Sequence, residues 1–116
     1  MPARGTKTYA VFISHYKAEA AMEARHLHEK LEGALGRHCF IDSDDLHDLR
    51  KLREAVRDSD CLLLLQSARV LERPWCLVEL LTAIDNNVPH RRCLAHHRHA
   101  LLQLRRGLHL FTCAGP

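Results

Sequence analysis

The chain lacks any apolar run near the roughly 18 residues that a membrane span requires, so none of its 116 residues is read as crossing a bilayer. It also lacks Cys-x-x-Cys spacing, although it has five cysteines. The start, MPARGTKTYAVF, is basic, but its apolar run is only about five residues long, too short for a signal peptide. Together these absences predict a cytoplasmic protein with reduced thiols. No glycine-rich phosphate loop is present, so a dinucleotide would have to be held by side chains and helix ends. Acidic residues disappear late in the chain. Residues 1–87 hold 12 Lys+Arg and 14 Asp+Glu, net −2, whereas residues 88–116 hold 5 Arg, 5 of the 10 His and no acid, net +5. Val, Ile and Tyr are absent after Pro89.

What is present fits one globular domain. The length leaves little room for two, and a chain of this size buries roughly two thirds of its unfolded surface. A hydrophobic content of 47% excludes disorder of the whole chain. Tyr9–Ile13 is a short β-branched and aromatic run, read as a buried strand. From residue 17 to 35 the period changes, with Ala20, Ala24, Leu27, Leu31 and Leu35 recurring at helical spacing and Gly33 and Gly36 at the end. His38–Ile41 reads as a second strand and Asp42–Asp45 as a polar loop. Leu49, Leu52 and Val56 mark a second helix with Asp48 as its N-cap. Cys61–Leu65 is continuously apolar, the pattern of a central parallel strand buried on both faces. Pro74 suits the first turn of a third helix, which ends near Asp85–Asn87.

Strand, helix, strand, helix, strand, helix at this spacing predicts a parallel sheet with helices on both faces. Ligands in such sheets bind beyond the carboxyl ends of the strands. Those ends are Ser14-His15-Tyr16, Asp42–Asp48 and Gln66-Ser67, and the start of the third helix lies close to the last. On a wheel of about 100° per residue, Leu77, Leu80, Leu81 and Ile84 form one stripe, expected to face the core. Trp75, Cys76 and Glu79 fall opposite. A tryptophan there needs a cleft, a ligand or a partner to cover it.

These segments resemble the Toll/interleukin-1 receptor (TIR) domain family. Tyr9-Ala-Val-Phe-Ile-Ser-His-Tyr16 is similar to its first-strand motif, and Phe40-Ile-Asp42 to the end of its second strand. Ser59-Asp-Cys-Leu-Leu-Leu-Leu65 is similar to its third strand, and Trp75-Cys-Leu-Val-Glu-Leu80 to its most specific motif. The resemblance covers residues 8–89 as a TIR domain and leaves 90–116 as a divergent, basic His/Arg-rich tail. It implies a flavodoxin-like three-layer α/β/α fold, here expected to be incomplete after the third helix. That would leave Leu62–Leu65 exposed near a sheet edge. A helix over residues 93–106 is the other reading of the tail.

Two functions follow from the resemblance. Many animal members are non-catalytic adaptors that dock onto other TIR domains in immune signalling. Other members hydrolyse the nicotinamide–ribose bond of NAD+, and their catalytic glutamate corresponds to Glu79. The cleft beside it would be lined by Ser14, His15, Tyr16 and Lys17, with Ser67, Trp75 and Cys76 bordering it. Trp75 or Tyr16 suits stacking on a flat ring, and Lys17 suits a phosphate. No cofactor is expected beyond NAD+ as substrate. The loop Asp-Ser-Asp-Asp-Leu-His-Asp-Leu lacks the Arg-Asp…Pro-Gly core usual in animal receptors, which points to microbial, algal or plant-like members. A solvated helix carboxylate at Glu79, and Trp75 packed on its own connection, are the alternatives for the site. Ser14 and Ser67 at the strand ends replace the acidic residues a phospho-receiver needs. The acidic loop reads as solvated rather than as a metal site. The His96–His99 and Arg-rich tail is not expected to bind metal or nucleic acid.

Overall fold

The computed structural model describes residues 7–41 and 48–94. The order is β1 (Tyr9–Ser14), α1 (Lys17–Leu35), β2 (Phe40–Ile41), α2 (Leu49–Arg57), β3 (Ser59–Gln66), a 3-10 turn (Val70–Glu72), α3 (Pro74–Asp85) and β4 (His90–Leu94). The strands form one all-parallel sheet in the order β2-β1-β3-β4. This is the parallel α/β arrangement expected from the alternating pattern, and it agrees with the flavodoxin-like fold that the resemblance implies.

Strand alternation sorts the core into two halves. Val11, Ile13, Cys61, Leu63 and Leu65 pack with Ala20, Ala24, Leu27 and Leu31 of α1 on one face. Phe12, Leu62 and Leu64 pack with Leu52 and Val56 of α2 and with Cys76 and Ala83 of α3 on the other. The unbroken apolar run of β3 is thus explained, since both of its faces are covered.

Local signals set most boundaries. The Asp48 side chain accepts from the Arg50 N–H at 2.9 Å, capping α2. Pro74 occupies the first turn of α3, where its missing N–H costs nothing. α1 is kinked at Ala20 and runs through Gly33 to Leu35. It stops at Gly36, which has φ +65° and donates its N–H to the Glu32 carbonyl at 2.9 Å. Because a side chain is disfavoured in that left-handed conformation, Gly36→Ala should lower stability by about 1–2 kcal/mol. Urea denaturation would show this as a lower midpoint at unchanged slope.

Two features depart from the sequence expectations. The first is β4. His90–Leu94 pairs in parallel with Leu62–Gln66, so the row Leu62–Leu65 is not left at an edge. Residues of low strand propensity are recruited because β3 would otherwise expose a full row of backbone N–H and C=O groups. Pro89 sits just before the strand, and its carbonyl accepts from the Leu62 N–H at 2.8 Å. Cys93 turns inward while His90, Arg91 and Arg92 remain exposed. The helix expected over 93–106 therefore loses its first two residues to the strand, and the rest of it lies outside the described residues. The acidic loop from Asp42 to His47 lies outside them too.

The second is the orientation of α3. Its expected core stripe faces outward: Leu77 is 38% exposed, Leu81 56% and Ile84 48%. Cys76, Glu79, Thr82 and Ala83 are buried instead, with Leu80 packed partly against the same cluster. α3 is apolar on nearly every side, so periodicity alone does not choose which stripe turns inward. The small Cys76 and Ala83 let the helix approach the sheet closely. A hydrogen bond made by Glu79 offsets the desolvation of its carboxylate.

Candidate functional site

The site is assembled where β1 ends beneath α3. Ser14 closes β1 and is fully buried, with its hydroxyl pointing to the α3 side. Glu79, one and a half turns into α3, is 0% exposed. The Ser14 Oγ donates to Glu79 Oε1 at 2.5 Å. One turn earlier, the Cys76 thiol donates to the His15 carbonyl at 3.4 Å. Ser14, His15, Cys76 and Glu79 are therefore joined into one cluster, linking residues more than sixty positions apart. Glu79 thus lies beside the end of β1 on the inward side of α3, whereas the helical wheel had set it opposite the core stripe.

The other expected residues form a rim. Tyr16 is the N-cap residue of α1 and is half-buried. The Arg73 guanidinium lies over its ring, 4.9 Å from the centroid, so this ring face is occupied by a cation. Trp75 is half-buried against the core cluster on the α2–α3 side of the sheet. Lys17 opens α1 and is exposed. Ser67 follows β3 at the same end of the sheet but bonds away from Glu79: its Oγ donates to Glu19 Oε1 at 2.5 Å.

Two contributors escaped the sequence reading. Arg73 was visible only as the residue before Pro74. Glu19 lies in the first turn of α1, where an acid suits the helix dipole and draws no further notice. Its Oε1 also accepts from the Arg69 N–H at 2.9 Å, so one carboxylate fastens the β3–α3 connection to α1. The Ser67 hydroxyl, then the Arg69 backbone and charge, hold its pKa below the usual carboxylate value. A depressed folded-state pKa stabilises above the unfolded value and is lost as pH falls through the folded one. The Arg69 amide resonance should therefore titrate below the usual carboxylate range, and Glu19→Gln should abolish that titration in an NMR pH series.

The buried thiols are of a different character. Burial pushes Cys39 and Cys93 up to about 11 and Cys61 up to about 12. Such groups stay protonated and unreactive at neutral pH. Among the described residues, no group of three or more His, Cys, Asp and Glu is placed to hold a metal ion. Nor is any described helix long and apolar enough to cross a membrane.

The family model described as TIR domain matches residues 11–105, a stretch that takes in β2, β3 and β4 and all but the first two residues of β1. No curated protein matches the chain.

Proposed function

The chain belongs to the TIR domain family, and from that premise we propose that it works in intracellular signalling by associating with other TIR domains and by hydrolysing NAD+ at Glu79. Family membership supports the association role directly. The enzymatic part rests on one observation: a fully buried carboxylate bonded to Ser14 at the carboxyl end of β1. An ionisable group sunk at a strand end, against the cost of desolvating it, is a common mark of a functional site.

The chemistry suits a single carboxylate. The bond from ribose C1′ to the nicotinamide nitrogen breaks, and its electron pair leaves with neutral nicotinamide. The sugar becomes oxocarbenium-like and is captured by water, which releases a proton and gives ADP-ribose. Glu79 would stabilise the positive charge or hold the ribose hydroxyls. Ser14 holds the carboxylate in one orientation. Lys17 and Arg73, on the same rim, supply positive charge for the phosphates.

A second reading is an adaptor that only binds other TIR domains. The complete burial of Glu79 favours it, since a substrate must reach the carboxylate before any bond can break. Incubation of the purified chain with NAD+, followed by assay of free nicotinamide, separates the two. Release above the spontaneous rate supports the enzyme. Its absence from protein shown to be assembled supports the adaptor.

A further inference from the structure

Glu79 is fully buried, so a substrate needs a way opened to it. The chain leaving β1 lies along α3 beside that carboxylate. Ser14 reaches Glu79, the His15 carbonyl accepts from the Cys76 thiol, and the Tyr16 ring carries the Arg73 guanidinium. One step forward along this chain is three steps back along α3, from Glu79 to the residue that precedes the helix. The segment is tied down again at Glu19, whose Oε1 accepts from the Ser67 hydroxyl at 2.5 Å and from the Arg69 N–H at 2.9 Å. Both of its ends are fixed. Ser14 pairs with Leu64 in the sheet, and Ala20 is buried in the core on the α1 side. Ala20 is also where α1 departs from helical geometry, with φ −142° and ψ 25°. A small residue near the end of an element is a common hinge. The β3–α3 connection on the other side is anchored by the buried Val70.

We infer that residues 15–19 are a flap, hinged at Ala20, that closes the way to Glu79 and is latched by Glu19 to the β3–α3 connection and by Tyr16 to Arg73. The inference rests on the proposed reading of Glu79 as the carboxylate that acts on NAD+, and names what admits the substrate. The latches suit a closure that reopens. Arg73 is exposed and the bond from Arg69 to Glu19 lies at the surface, so water replaces the lost partners when the flap lifts. The inner contact is a thiol on a carbonyl, and a thiol is a weak donor. Lys17 and Ala18 are exposed and add little burial, as in segments that open locally. The Tyr16 ring carries a cation when the flap is closed, and the nicotinamide ring of NAD+ is itself a flat cation. The substrate ring competes with Arg73 for that face, so its binding favours the open flap and frees the guanidinium for the phosphates.

The test uses the full chain with Glu19→Ala, which removes both bonds of the latch, and with Ser67→Ala, which removes one and serves alone should the first variant unfold. Cys76 reports opening, since its thiol is bonded to the flap, whereas Cys39, Cys61 and Cys93, buried in the other half of the core, report unfolding. Alkylation by iodoacetamide is followed at each thiol by peptide mass spectrometry. The Cys76 rate should rise about tenfold in Glu19→Ala, the effect of losing a hydrogen bond to a charged acceptor, and less in Ser67→Ala. The other three thiols should keep their wild-type rates. The KM for NAD+ should fall by a similar factor at unchanged kcat, because a larger fraction of chains is competent to bind. A Cys76 rate that neither variant changes overturns the flap. A rise shared by all four thiols overturns it too, since the whole domain has then loosened. Faster labelling at Cys76 with an unmoved KM means that the segment covers the thiol and not Glu79, which also overturns it. If neither wild type nor variant releases nicotinamide, the NAD+ reading fails on its own, and the Cys76 rate still decides whether the segment opens.

Discussion

Glu79→Gln should lower nicotinamide release from NAD+ by about 10²–10³-fold, the loss typical when one preorganised electrostatic group is removed from a reaction centre. The amide keeps nearly the same volume, and its oxygen can still accept from the Ser14 hydroxyl. Packing beneath α3 is therefore preserved while the negative charge is lost. Glu79→Ala is the harsher variant: it leaves a cavity and strands the buried Ser14 hydroxyl, at a cost of about 1–3 kcal/mol for that group. Comparing the two separates chemistry from architecture. If glutamine preserves the melting temperature and removes the activity, the charge is what the reaction uses. Undiminished release from the glutamine variant would exclude Glu79 as the catalytic carboxylate and leave the adaptor reading in place.

Phe12→Ala should destabilise the domain by about 3–5 kcal/mol. Phe12 is fully buried in β1, with Phe40 and Leu62 as its register partners on either side. Its ring stacks on Phe40 at 4.9 Å between centroids, and Tyr9 meets Phe40 edge-on at 5.2 Å. Truncation leaves a hole at the centre of the sheet, and β1 and β3 are too tightly paired to collapse into it. For a domain of ordinary stability, about 5–15 kcal/mol, the loss takes from about a fifth to nearly all of the total. Urea unfolding followed by far-UV circular dichroism checks it. A midpoint close to wild type would mean that the neighbouring side chains close the cavity.

Much of the fold was legible in local pattern. Ala20, Ala24, Leu27 and Leu31 were placed inside by helical spacing, and all are buried. Asp48 and Pro74 marked helix starts by their chemistry, and the unbroken run Cys61–Leu65 marked the central strand. Strand ends and helix starts of a parallel sheet share one rim, so the sequence set Glu79 and Ser14 around one crevice; the buried hydrogen bond between them was not legible. The clamp from Glu19 to Ser67 and Arg69 spans about fifty residues and leaves no trace in local spacing. Arg73 over Tyr16 was equally silent.

By itself, then, the sequence determined where the three helices and the first three strands run, because these follow from the period of apolar residues and from capping and turn chemistry within a few positions. Only the tertiary structure decided which side of α3 turns inward and whether His90–Leu94 becomes a strand. An all-round apolar helix offers two stripes of similar worth, and the sheet chooses the one that brings Cys76 and Ala83 close and gives Glu79 the Ser14 hydroxyl. A basic segment of low strand propensity is drawn into β4 because unpaired backbone along β3 costs more than its side chains' preferences.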